Sequence, residues 1–184
     1  MSSDVVDLRD FYRTGLGQVA RRMIRGAIRR LWPDLHGMRL LGIGYPTPFL
    51  GVVLPETERT VAVMPAALGV LDWSPDGRNL VALANEGELP FADYSIDRVL
   101  LVHALETSEQ VGPMLKEIWR VLAGGGRLLI IVPNRRGIWA RLDRTPFAPA
   151  ALTRCRNCHG CCATSSLHPS DRTRLCSFRR RASG

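Results

Sequence analysis

Residues 86–106 read EGELPFADYSIDRVLLVHALE and residues 124–134 read GGGRLLIIVPN, and these two pieces decide the fold. Arg98 to His103 is a short, mostly apolar run, too brief for a helix and typical of a strand covered on both faces. Between the two pieces, Leu105, Leu115, Ile118, Trp119 and Leu122 recur at helical spacing, with Glu109, Lys116, Glu117 and Arg120 among them. The three glycines from Gly124 to Gly126 predict the helix stop, since glycine accepts the positive φ of a helix C-terminus. Arg127 to Val132 is a second buried strand, closed by Pro133. Strand, helix and strand make a right-handed crossover between parallel neighbours.

The wording of the unit goes beyond its pattern. Leu89-Pro90-Phe91, a polar turn, Ser95-Ile96-Asp97, an apolar strand, Leu105-Glu106, Leu115-Lys116-Glu117 and Arg120-Val121-Leu122 precede Gly-Gly-Arg127. This resembles the class I S-adenosylmethionine-dependent methyltransferases, closest to the type 11 group, over about residues 38 to 134. The resemblance implies an α/β domain with five parallel strands in the order 3-2-1-4-5 and helices on both faces. In the family an antiparallel strand pair finishes the sheet; no apolar runs for that pair are evident here, so the sheet is expected to lack it.

The other strands follow the same reading: Met38–Ile43, Thr60–Met64 and Asn79–Ala84. Asp4 to Trp32 reads as one or two helices, broken near Thr14, Gly15 and Gly17 and ended by Pro33. Their apolar stripe is faced by Arg21, Arg22, Arg25, Arg29 and Arg30, and the expected role is to pack on the sheet and cover the substrate side. A methyltransferase-like domain therefore spans 1–146, with leading helices at 1–33 and a core at 38–134. A Cys- and Arg-rich tail follows at 147–184.

The resemblance also implies a site. Gly42-Ile43-Gly44 falls where the family carries its glycine-rich loop, whose small residues let main-chain N–H groups approach the cofactor. The usual third glycine is replaced by Tyr45-Pro46-Thr47-Pro48, and two prolines remove donors. The acid that grips the ribose hydroxyls in the family is missing, with Met64-Pro65-Ala66 in its place. Asn85 stands where an aspartate usually meets the adenine. Glu86 follows it, and Leu89 is expected beside the adenine ring. His103 ends the fourth strand, where parallel sheets hold ligands, and is the candidate general base. The expected cofactor contacts are thus Gly42, Gly44, Tyr45, Met64, Asn85, Glu86, Leu89 and His103, with S-adenosylmethionine as cofactor and a small molecule as methyl acceptor. Two other readings are a non-catalytic binding module of the same fold and, more distantly, an NAD-dependent oxidoreductase, which lacks its Gly-x-Gly-x-x-Gly.

Composition narrows the rest. The 184 residues suffice for one domain with a core and contain no run of 18 apolar residues, so no membrane span is expected. Asp4, Asp7 and Asp10 sit where a signal peptide would be basic or apolar, which gives a cytoplasmic expectation. The net charge is +8, carried by arginine with Lys116 the single lysine, a skew that reads as a GC-rich, bacterial-like genome more than as a nucleic-acid surface. All five cysteines lie in the tail. Cys155, Cys158, Cys161 and Cys162 crowd around His159 without a second knuckle, so no metal site is expected. The cysteines, the basic charge and the loss of apolar runs begin at one point. That coincidence reads as a change of reading frame, with an unstructured tail.

Overall fold

Alternation along the central strands explains the two-sided core. Leu40, Leu100, Val102, Leu129 and Ile131 point to one face, and Leu41, Ile43, Val99, Leu101, Leu128 and Ile130 to the other. Successive strand residues face opposite sides, so apolar residues at both parities demand cover on both. The computed structural model describes residues 5–66, 68–75, 77–133, 163–165 and 173–179. In chain order these give α1 (Val5–Arg13), α2 (Gly15–Leu31), β1 (Arg39–Gly44), α3 (Thr47–Leu50), β2 (Arg59–Pro65) and β3 (Val81–Ala84). Then come β4 (Ile96–Val102), α4 (Val111–Val121), β5 (Leu122–Pro133), β6 (Ala163–Ser165) and β7 (Thr173–Arg179).

The sheet runs β3-β2-β1-β4-β5-β7-β6, with the first five strands parallel. The order 3-2-1-4-5 is therefore the expected one. The expectation that the sheet ends at β5 is corrected. Along β5, Arg127 to Pro133 pairs antiparallel with β7, and β6 pairs with β7. Backbone N–H and C=O groups on an open edge demand partners whatever the side chains are, and a strand without an apolar run can supply them. Within the tail, 163–165 and 173–179 are thus strand. The cysteines at 155, 158, 161 and 162 lie outside the described residues, and so does the metal reading attached to them.

α1, α2 and α3 cover one face and α4 the other. The break between α1 and α2 is a cap: Thr14 Oγ1 accepts the Gly17 N–H at 3.0 Å and donates to the Phe11 carbonyl at 2.7 Å. Thr14 thus starts α2 while closing α1. The chain turns so tightly that a Cβ on Gly17 would lie 2.0 Å from the Phe11 oxygen, which only glycine avoids. Val5, Leu8, Tyr12, Ile24, Ala27 and Ile28 are buried, so both helices pack on the sheet as expected.

Two local readings change. The glycines from 124 to 126 do not stop α4, which ends at Val121; they lie inside β5, where the register against β4 shifts between Ile96 and Arg98. Gly125 takes φ 81° there, an irregularity that glycine accommodates. Trp119, which the helical spacing groups with the apolar positions, is 47% exposed, while Met114, Ile118 and Val121 carry the buried face of α4.

Candidate functional site

Parallel α/β sheets bind ligands beyond the carboxyl ends of their strands, at the point where strand order reverses. Here that point lies between β1 and β4, and it is densely built. Gly44 ends β1 at φ 90°. Tyr45 follows and donates its N–H to the Val102 carbonyl at 2.9 Å. Gly42 lies beneath Pro46, whose Cβ and Cγ would be 2.6 Å from an added Cβ. The glycines predicted for ligand access are therefore also needed for close packing of the chain on itself. α3 is a single turn, with Phe49 and Leu50 fully buried.

His103, immediately after β4, adopts φ 55°. Left-handed backbone is uncommon outside glycine and tends to gather at functional sites. The ring is 3% exposed and bonded on both sides: Nε2 lies 2.8 Å from the Tyr12 hydroxyl, and Nδ1 lies 2.6 Å from Glu106 Oε1. A carboxylate only accepts, so Nδ1 donates to Glu106, and in the neutral imidazole Nε2 accepts from Tyr12. Burial, with a smaller contribution from the charge of Glu106, pushes the Tyr12 phenol well above its ordinary value and keeps it a donor. Glu106 Oε2 is buried with no hydrogen-bond partner. The carboxylate therefore has one acceptor to offer an incoming group.

Tyr12 reaches this place from α1. Its ring stacks over Tyr45 with centroids 6.1 Å apart and meets Phe49 edge-on at 5.5 Å. The far end of α1 is fixed by the Val5 N–H on the Leu68 carbonyl at 2.9 Å. α1 thus lies as a strap from the loop after β2 to the end of β4. Sequence reading marked His103 and missed both of its partners. Glu106 could have been found from its three-residue spacing to His103. Tyr12 could not, because 91 residues separate it from the histidine.

The remaining predicted residues scatter. Met64 is fully buried in the core beneath α1 and α2, and its sulfur accepts the Leu71 N–H at 3.4 Å. Asn85 is exposed and folds back on its own turn, accepting the Gly87 N–H at 2.9 Å. Glu86 is buried and accepts the Ser108 hydroxyl, which links the ends of β3 and β4. Leu89 is buried against the α4 face, its N–H on Glu117 at 2.9 Å and its carbonyl on Arg120 at 3.0 Å.

Two further places collect polar groups. A groove of about 370 Å³ lies at the opposite, amino end of the strands, lined by Arg39, Asp97 and the glycines at 37 and 124–126. Asp34, His36 and Glu56 bring their ligand atoms within 4.8 Å of one another on the surface, but Glu56 is engaged by Arg29 and Asp34 by His36.

Residues 61–130 match the family model described as a methyltransferase domain. Among curated proteins, none matches. Solved structures agree on the fold. One is an S-adenosylmethionine-dependent methyltransferase from Archaeoglobus fulgidus, with 20% identity, 65% of this chain and 56% of that one covered, and a TM-score of 0.51. A second, from Methanococcus maripaludis, is provisionally named an S-adenosyl-L-methionine-dependent methyltransferase, with 15% identity, 71% and 64% coverage, and a TM-score of 0.53. The third is the [4+2]-cyclase SpnF, with 21% identity, 65% and 47% coverage, and a TM-score of 0.52. The chain spans about half to two-thirds of the length of these structures. Family model and fold agree: the match at residues 61–130 falls in the core of the sheet, and the architecture is the one these solved structures share. The cyclase on the same fold is a reminder that architecture does not fix the reaction.

Proposed function

We propose that this chain binds S-adenosylmethionine beyond the carboxyl ends of β1 and β4 and catalyses methyl transfer to a small-molecule acceptor, with His103 as the base. One observation carries the reading: His103 is held between Glu106 and Tyr12 at the end of β4, in left-handed backbone. When bound, the cofactor supplies an activated methyl group on a sulfonium. Alignment and removal of the acceptor proton are then left to the protein.

The residues present suit the cofactor on the β4 side. The free acceptor on Glu106 Oε2 is buried, and such an oxygen favours a ligand bearing positive charge, as sulfonium and ammonium groups do. Gly44 and Tyr45 would border the methionine portion, while Glu86, Asn85 and Leu89 would border the adenosine. Gly42 would act only through the turn it permits. Met64 would form wall behind the ribose, because its side chain is in the core. Glu106 holds the imidazole with its proton on Nδ1, which leaves Nε2 to take the proton of an acceptor O–H or N–H.

A second reading, a non-catalytic binding module, is favoured by a different observation. The Tyr45 N–H is already bonded to Val102, and Pro46 and Pro48 offer no N–H. Calorimetry of the full chain with S-adenosylmethionine and with S-adenosylhomocysteine separates the two. Micromolar binding, with a melting temperature that climbs with ligand concentration by mass action, is the expected result. No heat and no thermal shift at millimolar ligand would leave the binding-module reading standing.

A further inference from the structure

Of the groups around His103 described above, Tyr12 alone comes from the helices that precede β1. Tyr45 follows β1, Phe49 belongs to α3, and His103 and Glu106 follow β4. Tyr12 is delivered by α1, which is strapped on from outside the sheet. Its phenol nevertheless makes the contacts a substrate would make. The hydroxyl donates to His103 Nε2 at 2.8 Å, the ring stacks on Tyr45 at an interplanar angle of 28°, and Phe49 closes the edge at 87°. These are preferred aromatic geometries.

We infer that the slot filled by Tyr12 is a phenol site, and that Tyr12 is a resident stand-in for a phenolic methyl acceptor which takes its place when α1 withdraws. The inference rests on the proposed function and names the acceptor class for it. With its proton on Nδ1, His103 offers a lone pair at Nε2, and only a donor satisfies it. A carboxylate acceptor would oppose that lone pair with another. An aliphatic amine would donate but would leave the two ring faces without a partner. A phenol satisfies both wall and nitrogen, as Tyr12 does. Bound there, its proton passes along the existing O–H···N bond to Nε2, leaving a phenolate oxygen as the nucleophile and an imidazolium facing Glu106.

The test uses the full chain with Tyr12→Ala, which vacates the ring volume. Apolar cavities of this kind take up small aromatic molecules. The probes are 4-methylphenol and toluene, nearly the same shape with and without the hydroxyl. 4-Methylphenol should raise the melting temperature and bind about ten-fold more tightly than toluene, the worth of one hydrogen bond. Equal binding of the two, or no binding of 4-methylphenol to folded Tyr12→Ala, overturns the inference. So does competition between S-adenosylhomocysteine and 4-methylphenol, which would assign the slot to the cofactor. If Tyr12→Ala does not fold, Tyr12→Phe keeps the ring and removes only the hydroxyl. Acylation of His103 by diethyl pyrocarbonate, read on its own peptide by mass spectrometry, should then be several-fold faster than in the native chain, and an unchanged rate overturns the inference. Failure of the native chain to bind S-adenosylhomocysteine, with 4-methylphenol still preferred over toluene, would instead sink the methyltransferase reading and leave the phenol site intact.

Discussion

Gly44 meets Val102 so closely that a Cβ on Gly44 would lie 2.1 Å from the Val102 carbonyl oxygen and 3.0 Å from the Ala104 Cβ. Gly44 also holds φ 90°, a region that other residues rarely adopt. Both constraints act on the seam between β1 and β4, where Gly44 and Val102 are register partners. Gly44→Ala is therefore expected to destabilise the fold by about 3 kcal/mol or more, combining left-handed strain with a backbone clash. Chemical denaturation measures it. A loss below about 1 kcal/mol would mean that the seam can open, and that this glycine serves a ligand rather than the packing.

α4 is anchored by Ile118, 1% exposed, while its neighbour Trp119 is 47% exposed. Ile118→Ala should cost about 2–4 kcal/mol, from the lost burial and the cavity left behind. Trp119→Ala should cost clearly less, despite the larger side chain. Equal losses from the two variants would mean that α4 is rotated about its axis relative to the arrangement described.

Thr14 caps α2 and closes α1 at once. Thr14→Ala should cost about 1 kcal/mol, the usual worth of such a cap. Because the cap sits two residues after Tyr12, amide exchange in α1 should also accelerate. Unchanged exchange in α1 alongside a normal stability loss would separate the cap from the strap.

Asp97 is pulled in two directions. Burial pushes its carboxyl up, but hydrogen bonds from the Arg39 N–H at 2.9 Å and Nε at 3.0 Å, with the charge of Arg39, bring it below its ordinary value. A carboxylate whose folded pKa is depressed stabilises the protein above its unfolded value, roughly 3.9, and loses that contribution as pH falls toward the folded value. Asp97→Asn should therefore lose about 1 kcal/mol near neutrality, a modest figure because the pair is partly exposed. The deficit relative to the native chain should shrink below about pH 4. A deficit that is constant with pH would show that the charge of Asp97 has no part in it.

How the fold was legible follows from particular residues. Val99 to Val102 and Leu128 to Ile131 are apolar on both parities, and strand-forming runs of that kind declare a sheet covered on both sides. The strand order came with the family wording around them, and the helix break came from Thr14 with the glycines at 15 and 17. These signals are local, carried by neighbours in the chain.

The misread residues depended on the path of the chain. β7 reads TRLCSFR and has no sustained apolar run, yet it covers β5, because an edge is satisfied by backbone hydrogen bonds that composition does not record. Met64 stands at a strand end that looks ready for a ribose, but the alternation of β2 turns its side chain into the core. Sequence alone determined the parallel sheet, its two covers and the position of His103 at the end of β4. Only the tertiary structure decided what His103 touches. Bringing Tyr12 across 91 residues to its ring depends on where α1 is strapped, and no local periodicity encodes a distance through space.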